Sequence, residues 1–360
     1  MTDPVLFSVY PAANGHQIAV ATLNAEKSLN ALSLPMIRAL APQLRAWRDD
    51  PAVACVLLQG AGERAFCAGG DVVDIHNAIR AGNLAHCDDF FTEEYALDHL
   101  IHSFPKPLLV WGHGIVMGGG VGLMVGASHR IVTEKSRIAM PEVTIGLYPD
   151  VGGSWFLNRL PGRLGIYLGL TGASFSASDA LYVGLADFAL PSAFRLGLIE
   201  ALQAVAWQGQ GEADRRLLSH YLRDASRQAA LDLPPSQVRA HYDTIVALTD
   251  YDTVEEIVKA ITDYAGDDEW LRGGAKKLAA GSPTSMHLIV EAQKRARHLS
   301  LREVFEMELN VSRQCCRQHD FAEGVRALLV DKDNAPRWQP ATLAGVDPAV
   351  IEAHFHQPTT

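Results

Sequence analysis

Glu142 and Asp150 are two carboxylates in unusual company. Glu142 follows Ile138, Ala139, Met140 and Pro141, and Asp150 sits between Pro149 and Val151-Gly152-Gly153. A carboxylate among apolar, Gly and Pro residues is costly unless it is paired, hydrogen-bonded or used in a reaction. Together the two offer an acid/base pair. Read structurally instead, Asp150 caps a helix over 152–160 and Glu142 accepts bonds from loop amides. Just upstream, seven glycines crowd into residues 112–126. Each glycine weakens a helix by roughly 0.5–1 kcal/mol relative to alanine, so this density needs a compensation. Close approach of the backbone to a ligand at a strand-to-helix junction is one, because N–H groups at a helix start can serve an anion or a developing oxyanion. Tight helix packing or a buried turn is the other. A second small-residue block runs from Phe66 to Asp71. Its paired glycines let the chain turn sharply with N–H groups pointing outward. Asp71 reads as the cap of a following helix, and Cys67 as a small buried hydrophobe with no base nearby.

The elements that must position these residues can be read from periodicity. Val5 to Tyr10 and Gln17 to Leu23 are predicted strands joined by a turn at Asn14-Gly15. A loop from Leu23 to Leu32 carries Lys27. Ser33 is a cap for a helix with Pro35 in its first turn and a buried stripe of Ile37, Leu40, Leu44 and Trp47. Val53 to Leu58 is a buried strand, and 108–111 another, after two prolines. Residues 71–103 read as helical, broken at Ala81-Gly82-Asn83, with Phe90, Phe91, Tyr95, Leu97 and Leu100 available to cover a pocket. Short strands follow at His129 to Thr133 and Arg137 to Met140. From about Gly209 the glycine-rich α/β texture gives way to longer amphipathic helices. The expected division is therefore a core over 1–205 and a helical region over 206–360 that packs back on it.

Composition narrows the functional classes. The chain has 31 basic and 41 acidic residues, a net charge of −10, and no long basic run. That argues against a nucleic-acid surface. Five scattered cysteines lack a metal-type spacing, and no histidine cluster suggests a metal. No basic-then-apolar leader opens the sequence and no stretch of 18 apolar residues interrupts it. These features predict a reduced, cytoplasmic protein that does not span a membrane.

The blocks CAGGD at Cys67 to Asp71, FFTEEY at Phe90 to Tyr95, HGIVMGGGVGL at His113 to Leu123 and MPEVTIGLYPDVGGSWFLNRL at Met140 to Leu160 carry a family resemblance. So do SPTS at Ser282 to Ser285 and HDFAEGVRALLVDKDNAPRW at His319 to Trp338. The chain resembles the crotonase (enoyl-CoA hydratase/isomerase) superfamily and, within it, the 3-hydroxyisobutyryl-CoA hydrolases. The resemblance implies an α/β fold, a crotonase-like ββα spiral core with an added helical C-terminal region. It implies hydrolysis of an acyl-CoA thioester in valine breakdown, with Glu142 and Asp150 catalytic. The N–H groups of Ala68 and Gly119 are implied as the oxyanion hole. Glu94, Gly69 and Gly70 are implied at the substrate, and Lys27 as a contact to the CoA nucleotide, where a solvent-exposed lysine is the other reading. No cofactor is implied beyond the CoA of the substrate, no metal, and a homo-oligomer is admitted. The alternatives are a hydratase or isomerase of the same superfamily and a non-catalytic acyl-CoA-binding protein. Against hydration, the position where classical hydratases carry their first glutamate is Gly122.

Overall fold

The structure, a computed structural model, describes residues 3–358. The chain divides into two compact units, each assembled from separate stretches. One holds the chain up to Gly70, Ala96–Ile138 and Phe175–Ser236. The other holds Asp71–Tyr95, Ala139–Ser174 and the chain from Gln237 onward. This differs from a single cut near residue 205, because residues on both sides of that point share one core.

The first unit is a mixed α/β structure. Its larger sheet runs β1 (Val5–Pro11), β2 (Gln17–Leu23), β3 (Val53–Gly60), then Leu108–Gly112, His129–Val132 and Phe188–Ala189. β1 and β2 form the antiparallel hairpin expected from Asn14-Gly15, with Gly15 at φ +88°. Every later neighbour is parallel. Parallel strands need crossover connections; α1 (Leu34–Asp49) provides the first. It starts where predicted, the Ser33 hydroxyl accepting from Met36 N–H, and buries Ile37, Leu40, Leu44 and Trp47. On the sheet, Ile18, Val20, Leu57, Leu109, Trp111 and Ile131 pack with Leu198, Leu202, Trp207, Leu218 and Leu222 in one core. The last two belong to the helix Gly211–Ala229, which is why the core runs past residue 205. A smaller sheet joins β4 (Ala65–Cys67) in parallel to the strand Ile115–Met117 and continues to Arg137–Ala139 and Phe175–Ser176.

The second unit is helical. α2 (Val72–Arg80) is capped by Asp71, whose carboxylate accepts from Asp74 N–H at 3.2 Å, as expected. α3 (Leu84–His102) follows, and its segment to Tyr95 lies in this unit. Here the C-terminal helices pack on parts of the chain from before residue 205. His319–Val325 contacts α2 and the short turn Glu142–Ile145, while Pro283–Ala296 contacts the helix Leu164–Thr171. No helix among the described residues is long and apolar enough to cross a membrane.

Candidate active site

The glycine-rich residues of the first unit form a set of backbone donors. β4 ends at Cys67, and the turn after it passes through Gly69 at φ +112°, a conformation that favours glycine. A Cβ on Gly69 would lie 3.4 Å from Met117 O and 3.8 Å from Gly119 N, so this turn lies against the start of the helix Gly119–Val125. One residue further on, a Cβ on Gly120 would come within 2.3 Å of Cys67 O. The glycine triplet therefore serves close backbone approach between two loops. Gly119 is the first residue of its helix, and its N–H has no backbone acceptor among the described residues.

Ala68 requires a correction. Its N–H donates to Leu29 O at 3.1 Å, so it is already used within the fold. Two residues on, the Gly70 N–H has no backbone acceptor among the described residues. The donor pair consistent with the geometry is Gly70 and Gly119. Lys27 lies exposed on a single 3-10 turn, Glu26–Ser28. Gly122 is buried in the glycine helix and presents no carboxylate. Cys67 is buried, and its thiol faces Gly69 O at 3.7 Å.

The acids lie in the second unit. Glu142 opens the turn Glu142–Ile145, is 4% exposed, and its Oε2 has no hydrogen-bond partner among the described residues. Burial pushes its carboxyl well above the ordinary range, and the nearby Asp150 charge pushes it further. Asp150 is equally buried. It does not cap the following helix. Its Oδ2 accepts from the Tyr95 hydroxyl at 2.6 Å, and its carbonyl accepts from Gly153 N–H at 2.6 Å. Burial raises Asp150 to about 6, against the Tyr95 hydrogen bond, which favours the ionised form. Glu94, beside Tyr95 on α3, is also buried.

Four residues in this cluster escaped the sequence reading as polar partners: Tyr95, Tyr148, Glu308 and Ser312. Tyr95 bonds Ser312 Oγ at 2.6 Å, and Tyr148 donates to Glu308 O at 2.8 Å and meets Ser312 Oγ at 3.1 Å. Glu308 accepts from Gly152 N–H at 2.7 Å and Ser154 N–H at 2.9 Å, the capping task that the sequence suggests for Asp150. Between these acids Val151 sits at φ +51°. A β-branched residue there costs on the order of 1–3 kcal/mol, a strain that concentrates at functional sites. The signal for Glu308 was its spacing: Val304, Phe305, Glu308, Val311, Ser312 and Cys315 share one buried face of the helix Leu301–Arg317. A carboxylate on that face needed an explanation.

Comparisons with known proteins show the family of the chain. The sequence model described as enoyl-CoA hydratase/isomerase matches residues 18–355. The curated 3-hydroxyisobutyryl-CoA hydrolase of Danio rerio is 42% identical over 340 residues, covering 93% of this chain and 86% of that protein. The Homo sapiens protein of the same name is 39% identical over 337 residues, covering 93% and 85%. Among solved structures, an enoyl-CoA hydratase from Rhodobacter sphaeroides superimposes with a TM-score of 0.83 at 34% identity, covering 99% of this chain and 98% of that one. A carnitinyl-CoA dehydratase from Mycobacterium thermoresistibile gives 0.84 at 37%, covering 99% and 97%. The curated hydrolases also correct one expectation. Eight curated relatives at 38–42% identity are each named as mitochondrial proteins, which overturns the cytoplasmic location predicted from composition.

Proposed function

The chain belongs to the enoyl-CoA hydratase/isomerase family, and within it we propose that it hydrolyses 3-hydroxyisobutyryl-CoA to 3-hydroxyisobutyrate and CoA. What carries the reading is the buried pair: Glu142 with an unpartnered oxygen and a raised affinity for protons, beside a second acid held by a hydroxyl. The substrate comes from the name borne by relatives up to 42% identical over 93% of this chain.

In this reading the Gly70 and Gly119 N–H groups take the thioester oxygen and stabilise the charge it gains as the carbonyl is attacked. Loss of one such donor typically costs about 2.7–4 kcal/mol of transition-state stabilisation. Glu142 takes a proton from water as its oxygen bonds to the acyl carbon, or attacks that carbon itself to give an anhydride that water then opens. The C–S bond breaks, and the thiolate of CoA leaves with a proton from the acid pair. Asp150 accepts from the 3-hydroxyl of the acyl group, which would favour hydroxyacyl over plain acyl substrates.

The hydratase named among the solved structures supports a second reading, since it matches 99% of this chain. Against it stands Gly122, where classical hydratases by resemblance carry a glutamate. The test is thiol release from 3-hydroxyisobutyryl-CoA run beside hydration of crotonyl-CoA. We expect release without hydration. Crotonyl-CoA turnover in the ordinary enzyme range of about 1–10³ per second, with no thiol released, would reverse the assignment. Binding with neither reaction would point to a non-catalytic relative.

A further inference from the structure

We propose that Tyr95 and Ser312 are positioning residues, a chain of two hydroxyls that fixes one oxygen of Asp150 and turns the other toward the substrate. The inference rests on the hydrolase reading and deepens it. The protons available decide the direction of the chain. Tyr148 has one, and its shorter contact is to Glu308 O at 2.8 Å rather than Ser312 at 3.1 Å. Ser312 also has one, and its shorter contact is to Tyr95 at 2.6 Å. With Ser312 donating to Tyr95, the tyrosine proton is left for Asp150 Oδ2 at 2.6 Å. Every hydroxyl in the chain is then used once, and the chain ends on the carboxylate. Donation into a hydroxyl polarises it and strengthens its own donation onward.

The surroundings explain why Asp150 needs this. The titratable groups that bear on it are Glu142, Glu308, Tyr95, Tyr148 and Cys315, with Glu94 close to Tyr95. None is a cation. Burial favours a protonated Asp150, and the side chain that opposes it is Tyr95. Tyr95 is itself held in an aromatic group with Phe91 and Phe305, at ring separations of 5.8 and 5.9 Å, so its hydroxyl direction is fixed by packing.

The experiment follows the Asp150 carboxyl by carbon-13 NMR across pH in wild type, Tyr95→Phe, Ser312→Ala and Phe305→Leu, with Asp150→Asn to assign the signal. Thiol release is measured as kcat/KM over the same pH range. We expect Y95F to move the Asp150 midpoint upward by about one pH unit, the worth of one hydrogen bond to a charged group, and the acid limb of kcat/KM to move with it. S312A should move both the same way by less, and it carries the test if Y95F does not fold. F305L alters packing around Tyr95 without removing a hydroxyl, so it should lower the melting temperature and leave the midpoint in place. An unmoved midpoint in Y95F or S312A overturns the hydroxyl chain. A moved midpoint with an unmoved acid limb overturns its role in the reaction. The NMR arm does not need turnover, so a wild type that releases no thiol refutes the hydrolase reading separately.

Discussion

At the scale of single residues, Glu142 and Asp150 are alike in burial and differ in partners, and this difference predicts different losses. Glu142→Gln keeps shape but can neither take a proton nor form an anhydride. Thiol release should fall by about 10²–10⁴, the range for a lost general base, on every acyl group tested. Asp150→Asn should instead be selective, costing 3-hydroxyisobutyryl-CoA more than isobutyryl-CoA, so that the two converge in kcat/KM. The pH profile adds a sign. Glu142 is raised first by burial and then by the Asp150 charge. Removing that charge lets Glu142 ionise at lower pH, so on isobutyryl-CoA the acid limb of D150N should move down, opposite to the shift expected for Y95F. Equal losses on both substrates with an unmoved limb would assign Asp150 to the fold alone.

At the scale of elements, the glycine triplet shows what a sequence can and cannot specify. Its density announced a close approach, and the structure supplies the partner: Gly120 against the carbonyl of Cys67. Gly120→Ala would put a Cβ 2.3 Å from that oxygen, a backbone atom that cannot swing aside. The Cys67–Gly70 turn or the helix must give way, at about 1–3 kcal/mol for overpacking. We expect kcat to fall by about 10²–10³, as for a lost oxyanion donor, while the folded protein keeps its circular dichroism. Normal turnover in a folded G120A would detach this junction from the reaction. Much of such local structure was legible: the Ser33 cap, the hairpin at Gly15 and the Asp71 cap are each set by residues a few positions apart. The choice between Ala68 and Gly70 as donor was not, because it depends on Leu29 O, which periodicity cannot place beside Ala68. Glu308 and Ser312 were hidden similarly. Apolar spacing at Val304, Phe305 and Val311 marks the buried stripe of their helix, but the polar residues on the same face find their partners more than 150 positions away.

At the scale of the whole molecule, the change in texture near residue 209 was real, but texture does not report which segments share a core. Trp207, Leu218 and Leu222 complete the first unit, while Asp71–Tyr95 and Ala139–Ser174 belong with the C-terminal helices. The second unit therefore buries Glu142, Asp150 and Glu308 together, and this should show in the pH dependence of global stability. Burial carries Glu308 up to about 8 and Asp150 to about 6, and it raises Glu142 as well. A carboxyl with a raised folded pKa holds its proton more tightly folded than unfolded. Its contribution to stability is complete below the unfolded carboxylate range, about pH 4, and is lost as pH rises through the folded value. Glu308→Gln removes the titration while keeping one acceptor for the Gly152 or Ser154 N–H. Wild type should consequently lose ground to E308Q as pH climbs from about 5 to about 8, so that the melting temperature of wild type minus that of the variant shrinks across the interval. The comparison is made by melting curves at fixed ionic strength. A difference that stays constant would mean that Glu308 keeps one protonation state throughout, with the Gly152 and Ser154 N–H groups stabilising its charge more than burial opposes it.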